Sequence, residues 1–248
     1  MKKGLGKGLI IMLLSMLLTD CAPPQIQYPS TQLVYNRRVQ LKDDLLALLP
    51  KEEQGKMAAI EEATWLSDTA YKAAAGIARI NGSYFPNWFG NALINARMQD
   101  RGLCWHYQHD MFRELRRRKL NFFRIGCCVR DKAESSERNC VYIAPVNSEW
   151  PHAMMLDAWL YNGRLRAYKA AELDQERWED LPTICSIQEK YYPAGHTWPI
   201  EHWSIIRGKD GEYKGFWTPD AKGSSQYRRM FENIEEGMKA HPNSPMNY

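Results

Sequence analysis

The chain of 248 residues sets 33 Lys and Arg against 29 Asp and Glu, a formal charge of +4, and three of its cations, Lys2, Lys3 and Lys7, sit in one N-terminal segment. Loss of that segment leaves the remainder near neutral, which removes the basic footprint that nucleic-acid binding requires. An aromatic content of 12% with nine Trp excludes a disordered chain, and the length is ample for one domain with a substantial core plus an extension.

Residues 1–21 read as an export signal, with a positive start followed by an apolar run, residues 9–18, that is too short to span a bilayer comfortably. Leu18-Thr19-Asp20-Cys21 resembles the lipobox of bacterial lipoproteins, whose cysteine is diacylated and becomes the mature N-terminus. Asp20 departs from that pattern, where Gly, Ala or Ser normally precedes the cysteine. Ala22, rather than Asp, after the cysteine is similar to the sorting signal for the outer membrane. The resemblance implies a protein in the bacterial cell envelope, held to the membrane by lipid on Cys21 and facing the periplasm; an uncleaved apolar anchor is the alternative. Residues 22–40, rich in Pro, Gln and Ser, are expected to form a flexible spacer.

A helical pattern begins near Leu41 and resumes at Lys51, where Met57, Ile60, Ala63, Trp65, Ala70, Ala74 and Ile77 keep an apolar stripe as far as Gly82. Residues 87–98 predict a shorter helix after Pro86. Residues 104–119 predict a third, with Tyr107, Met111, Phe112 and Leu115 facing inward. Arg113, Arg116, Arg117, Arg118 and Lys119 crowd its end, as a solvated face complementing the helix dipole or, alternatively, as a patch for phosphate or lipid headgroups.

The period then changes. Residues 122–129, 140–146, 154–159 and 164–168 read as antiparallel strands, the last two joined across Tyr161-Asn162-Gly163 as a hairpin. Helices followed by strands give an α+β order, with N-terminal helices packed on an antiparallel sheet. Residues 170–248 read as an irregular, aromatic and Pro-rich extension with short strands near 203–206 and 213–217 and a last helix over 227–239.

Five cysteines follow Cys21: Cys104, Cys127, Cys128, Cys140 and Cys185. In an oxidising compartment an odd count suits one free thiol and two disulfides. Neighbouring Cys127 and Cys128 on a strand point to opposite faces, so bridges to Cys140 and Cys185 are favoured over one between the neighbours. Four cysteines allow three pairings, and buried reduced thiols are the alternative.

Arg101-Gly102-Leu103-Cys104-Trp105-His106 puts a thiol after a glycine turn at a helix start, where unpaired N–H groups and a partial positive charge favour the thiolate. A cysteine at a helix N-terminus, a strand opening with His and a strand ending in Asp is the chain order of the transglutaminase-like, papain-related cysteine enzymes. Gly102-Leu103-Cys104-Trp105 resembles their nucleophile segment, and Leu156-Asp157-Ala158-Trp159 resembles the strand end that carries the orienting Asp. The resemblance covers residues 41–169 and implies a transglutaminase-like or papain-like core with Cys104 as nucleophile and Asp157 as orienter. It departs at the third place, where Glu137-Arg138-Asn139 stands for a Glu-His-Asn pattern and puts Arg138 at the His position.

Thiol chemistry on an amide needs a group that takes a proton and returns it. Guanidinium stays protonated, so Arg138 would stabilise a thiolate or pair with Asp157 without shuttling a proton. His152 is the alternative base in chain order, but five extended residues before Asp157 place it about 16 Å away at roughly 3.3 Å per residue. His106 and His109 share the helix of Cys104 at unsuitable spacings, and His196 and His202 lie in the irregular segment. Two functions therefore stand. One is a degenerate domain that binds peptide or cell-wall polymer; the other is an active cysteine hydrolase or acyl-transferase on amide or isopeptide bonds. No His-x-x-x-His, Cys-x-x-Cys, Gly-rich phosphate loop or Gly-x-Ser-x-Gly elbow points to a metal, cofactor or serine nucleophile.

Overall fold

A computed structural model describes residues 30–81, 90–91, 102–132, 134, 136–191, 193–195, 204–207, 213–219 and 228–231. The signal and lipobox through Cys21, the helix expected over 87–98 apart from the helical residues 90–91, and His196 and His202 lie outside the described residues.

The first helix, α1 (Thr31–Leu48), begins ten residues before the expected helical start, so the spacer expected through residue 40 does not extend past Ser30. The Ser30 hydroxyl accepts the Leu33 N–H and starts it, and Leu41 and Leu45 bury one face further along. A single turn, α2 (Lys51–Gln54), leads into α3 (Met57–Ile80). Arg38 on α1 donates through Nε to Asp68 of α3 at 2.7 Å and ties the two long helices together.

The buried face of α3 is an alanine face: Ala59, Ala63, Leu66, Ala70, Ala74 and Ile77 recur at helical spacing. Met57, placed inside by its hydrophobicity, is 69% exposed because it lies on the opposite side. Small side chains let other chain segments come close. Gly163, at φ +85°, lies so near that an added Cβ would sit 2.7 Å from the Ala74 carbonyl and 2.5 Å from the Ala78 methyl.

The next described helix, α4 (Cys104–Glu114), ends five residues earlier than expected, but Tyr107, Met111, Phe112 and Leu115 are all buried as the period predicts. Arg113 is not a solvated cation. It is buried and paired with Asp110 on its own helix, while Arg117 bonds Glu114 and Arg116 reaches Glu189. Arg118 and Lys119 remain exposed, so the solvated face is confined to the end of the cluster.

A five-stranded antiparallel sheet follows, in the order β4-β3-β2-β1-β5, from β1 (Phe123–Arg130), β2 (Arg138–Pro145), β3 (Met154–Asp157), β4 (Arg166–Lys169) and β5 (Trp178–Asp180). The expected β3–β4 hairpin is present, with Asn162 and Gly163 both at positive φ. A 3-10 turn (Ala170–Glu172), β5 and the helix α5 (Pro182–Tyr191) lay within sequence read as irregular. A second antiparallel sheet joins β6 (Ser204–Arg207), β7 (Tyr213–Pro219) and β8 (Arg228–Phe231). The strand at β8 replaces the start of the helix expected over 227–239.

Alternation assigns the faces of the larger sheet. Phe123, Ile125, Cys127 and Val129 of β1, Val141 and Ile143 of β2, and Met154 and Leu156 of β3 join the helices in the main core. Cys128, Cys140, Tyr142, Ala144 and Met155 form a second cluster on the other side, with Trp178 and Ala170. A buried carboxylate fixes the sheet beneath α3: Glu62 accepts the backbone N–H groups of Asn121, Phe122 and Phe123 at 2.8 to 2.9 Å. Those three donors precede or begin β1, so one side chain satisfies the polar start of the strand and sets its height.

Candidate functional site

Three segments separated in sequence meet at the start of α4. Gly102 carries φ +132°, a conformation that favours glycine, and turns the chain into the helix. His106 holds that turn: its Nδ1 accepts the N–H groups of Gly102 at 3.2 Å and Leu103 at 3.0 Å. Because Nδ1 accepts, the ring proton sits on Nε2, and the imidazole serves as a cap for otherwise unmatched helix-start donors. Trp105 stacks on the His106 ring with centroids 4.2 Å apart and meets His109 edge-on at 5.5 Å. From the far side, the Trp159 indole N–H donates to the Gly102 carbonyl at 2.8 Å.

Cys104 lies in the first turn of α4 and is buried. Its thiol donates to the Glu137 carbonyl at 3.6 Å and accepts from Asn139 Nδ2 at 3.5 Å. The same amide donates to Glu137 Oε1 at 2.6 Å, which fixes which way Asn139 points. Burial pushes the Cys104 thiol above its ordinary value of 9.0; the Asn139 hydrogen bonds pull it back, and the charges of Glu137 and Asp157 push it further up. Removal from water thus opposes the thiolate that a helix start by itself would favour.

Asn139, rather than Arg138, faces the sulfur. On β2 the odd-numbered residues Asn139, Val141 and Ile143 look toward the helices, and Arg138 precedes them by one. A shift of one residue reverses the face, so the sequence register that put Arg138 at the His position chose the neighbour of the residue that meets Cys104. Arg138 instead reaches Asp157, Nη1 to Oδ2 at 3.4 Å, with its guanidinium 5.9 Å from the Trp159 ring centroid.

Asp157 ends β3 and is buried. Its Oδ1 accepts the N–H groups of Trp159 and Leu160 at 3.0 and 2.9 Å, a local turn that leads the chain away from the strand. Burial raises its carboxyl above the ordinary 3.8, against the lowering effects of the Leu160 N–H and of Arg138. The orienting role expected of Asp157 thus has a guanidinium and two backbone amides as its objects.

His152 is exposed, with Nε2 2.9 Å from the Leu48 carbonyl at the end of α1. This contact ties a loop to a helix end, and the alternative base is not brought to Cys104. The polar groups that the described residues bring to the sulfur are an amide and a carbonyl, neither of which takes a proton near neutral pH. Among the described residues no group of three or more His, Cys, Asp and Glu side chains could hold a metal ion.

No protein-family model, curated protein or solved structure matches the chain. The site must therefore be read from its own chemistry. Sequence reasoning missed Asn139, the cap made by His106 and the clasp from Trp159 to Gly102. Strand alternation through Val141 and Ile143 was the available signal for the first.

All five cysteines after Cys21 are thiols, the alternative left open beside two disulfides. Cys127 and Cys128 do point to opposite sides of the sheet, as the strand period requires. A groove of about 620 Å³ lies away from the thiol, lined by Trp65, Ile77 and Ile80 with Lys72, Arg117 and Arg118 on its walls.

Proposed function

We propose that this chain is a membrane-anchored lipoprotein of the bacterial envelope whose transglutaminase-like domain, residues 41–169, no longer turns over substrate and serves to bind peptide or cell-wall polymer. The observation that carries the reading is the contact of Asn139 with Cys104. A carboxamide in place of an imidazole leaves a buried thiol with no proton acceptor beside it among the described residues, while the framework around that thiol is held by His106, Trp159 and Asp157. The half-buried rings of Trp105 and Trp159 at the turn are suited to stacking on sugar rings or extended peptide. Lipid on Cys21 supplies the anchor, with the outer membrane as its site.

Two measurements test this. Palmitate labelling in a bacterial host is expected for the full chain and lost in Cys21→Ala; equal labelling of both removes the anchor. Co-sedimentation with purified peptidoglycan sacculi is expected to survive Cys104→Ser and to fall at least about tenfold in Trp159→Ala. Covalent capture of Cys104 by a broad acyl probe at neutral pH would contradict the reading and establish the hydrolase or acyl-transferase instead.

A further inference from the structure

Beside the main core a second pair of sulfur atoms meets where α5 crosses β1. Cys127 faces the helix side of β1 and is completely buried. Its carbonyl accepts the Leu181 N–H at 2.9 Å, and the Leu181 carbonyl in turn accepts the Cys185 N–H at 3.3 Å. One helical turn beyond that anchor, the partly exposed Cys185 packs against the core cluster that holds Cys127. The Arg116 guanidinium lies near both sulfurs.

We infer that Cys127 and Cys185 are an oxidisable pair, which a small-molecule or protein disulfide converts into a bridge that locks α5 onto β1. Cys185, the sulfur within reach of solvent, attacks one sulfur of the donor disulfide as thiolate. The donor S–S bond breaks, its far sulfur leaves as a thiolate and takes up a proton, and the near sulfur remains on Cys185 as a mixed disulfide. Cys127 then gives up its proton, attacks the Cys185 sulfur and expels the second donor sulfur as a thiol. Two protein S–H groups become one S–S bond, and two electrons and two protons end on the two donor thiols.

The other candidate pair differs in access. Cys128 and Cys140 are opposite one another across β1 and β2, but both are buried in the second cluster, and the Cys128 thiol is committed to the Cys140 carbonyl at 3.6 Å. Neither offers a donor a sulfur to meet.

Incubation of the folded chain with oxidised glutathione, followed by non-reducing tryptic mapping, tests the assignment. The expected product lacks two hydrogen atoms and links peptide 125–130, which carries both Cys127 and Cys128, to peptide 178–190, which carries Cys185. The link is expected to persist in Cys128→Ser and to vanish in Cys185→Ser, a substitution at a partly exposed position. Oxidised protein is expected to melt roughly 10 °C above reduced protein, since the bridge closes a loop of about 58 residues. A bridge that persists in Cys185→Ser, a bridge to Cys140, or five thiols still open to alkylation after denaturation overturns the assignment.

Discussion

Cys104 has both hydrogen-bonding capacities of a neutral thiol occupied, one by the Glu137 carbonyl and one by the Asn139 amide. Among the described residues no group that takes a proton near neutral pH meets this sulfur, and a single substitution can supply one. Asn139→His is expected to raise the acylation rate of Cys104 by roughly 10- to 100-fold, because it alone sets an imidazole against the sulfur. Arg138→His is expected to give no gain, since that side chain serves Asp157. Stopped-flow acylation with an activated ester distinguishes them; a gain confined to Arg138→His would refute the register. Asp157 makes a matching contrast. Asp157→Asn keeps the acceptor for the Trp159 and Leu160 amides and should lower Tm by no more than about 3 °C, whereas Asp157→Ala strands those amides and a guanidinium and should cost about 3 kcal/mol, or roughly 10 °C.

Elements are positioned by a few buried anchors, and one of them is a glycine under a ring. Gly126 of β1 pairs with Tyr142 of β2, and a Cβ at Gly126 would sit 2.0 Å from Tyr142 Cζ and 2.3 Å from its hydroxyl oxygen. That ring cannot retreat, because its hydroxyl accepts from Arg124 Nη1 at 2.9 Å and donates to Asp180 at 3.0 Å, joining β1, β2 and β5. Gly126→Ala is therefore expected to destabilise by about 2 kcal/mol or more, read by urea unfolding as a lowered midpoint with unchanged slope. A neutral result would mean that the strands slide apart freely. Much of this layer was legible in the sequence: the inward residues of α4, the four strand segments from Phe122 to Tyr168 and the Asn162-Gly163 hairpin all follow from periodicity and turn chemistry. What stayed hidden depended on the partner across space. The start of α1 is set by a Ser30 cap amid polar residues with a weak apolar period, and β5 has three residues, too few to show alternation. The face of Asn139 was decided by the sheet, while a three-residue motif pulled the assignment one position away.

The whole molecule stores protonated acids of the sulfur and phenol type. Burial raises the thiols of Cys104, Cys127, Cys128 and Cys140 above 9.0 and the phenols of Tyr71 and Tyr142 above 10.0. The folded chain thus retains protons that the unfolded chain releases above these ordinary values. Stability from these groups is complete below about pH 9 and is lost as the pH rises through the higher folded values. Calorimetry should show Tm level between about pH 7 and 8.5 and falling steeply above pH 9.5, with proton release on unfolding; a Tm that holds level to pH 11 would contradict this. On the acid side, Asp157 and Glu114 are raised, so falling pH relieves part of their cost, whereas Asp131, held at about 2 chiefly by its hydrogen bond from Arg177, loses its pairing as it protonates. The same burial that raises the other thiols also raises that of Cys104.

Site-resolved alkylation of that thiol is the most direct test. Iodoacetamide is reacted with the native chain from about pH 6 to 10, and modification of the peptide carrying Cys104 is followed by mass spectrometry. The expected rate at pH 7 is at least about tenfold below that of an unstructured cysteine peptide, with an inflection above the ordinary thiol value of 9.0. Rapid modification near pH 6, with an inflection below neutrality, would show a thiolate at the start of α4 and contradict the account.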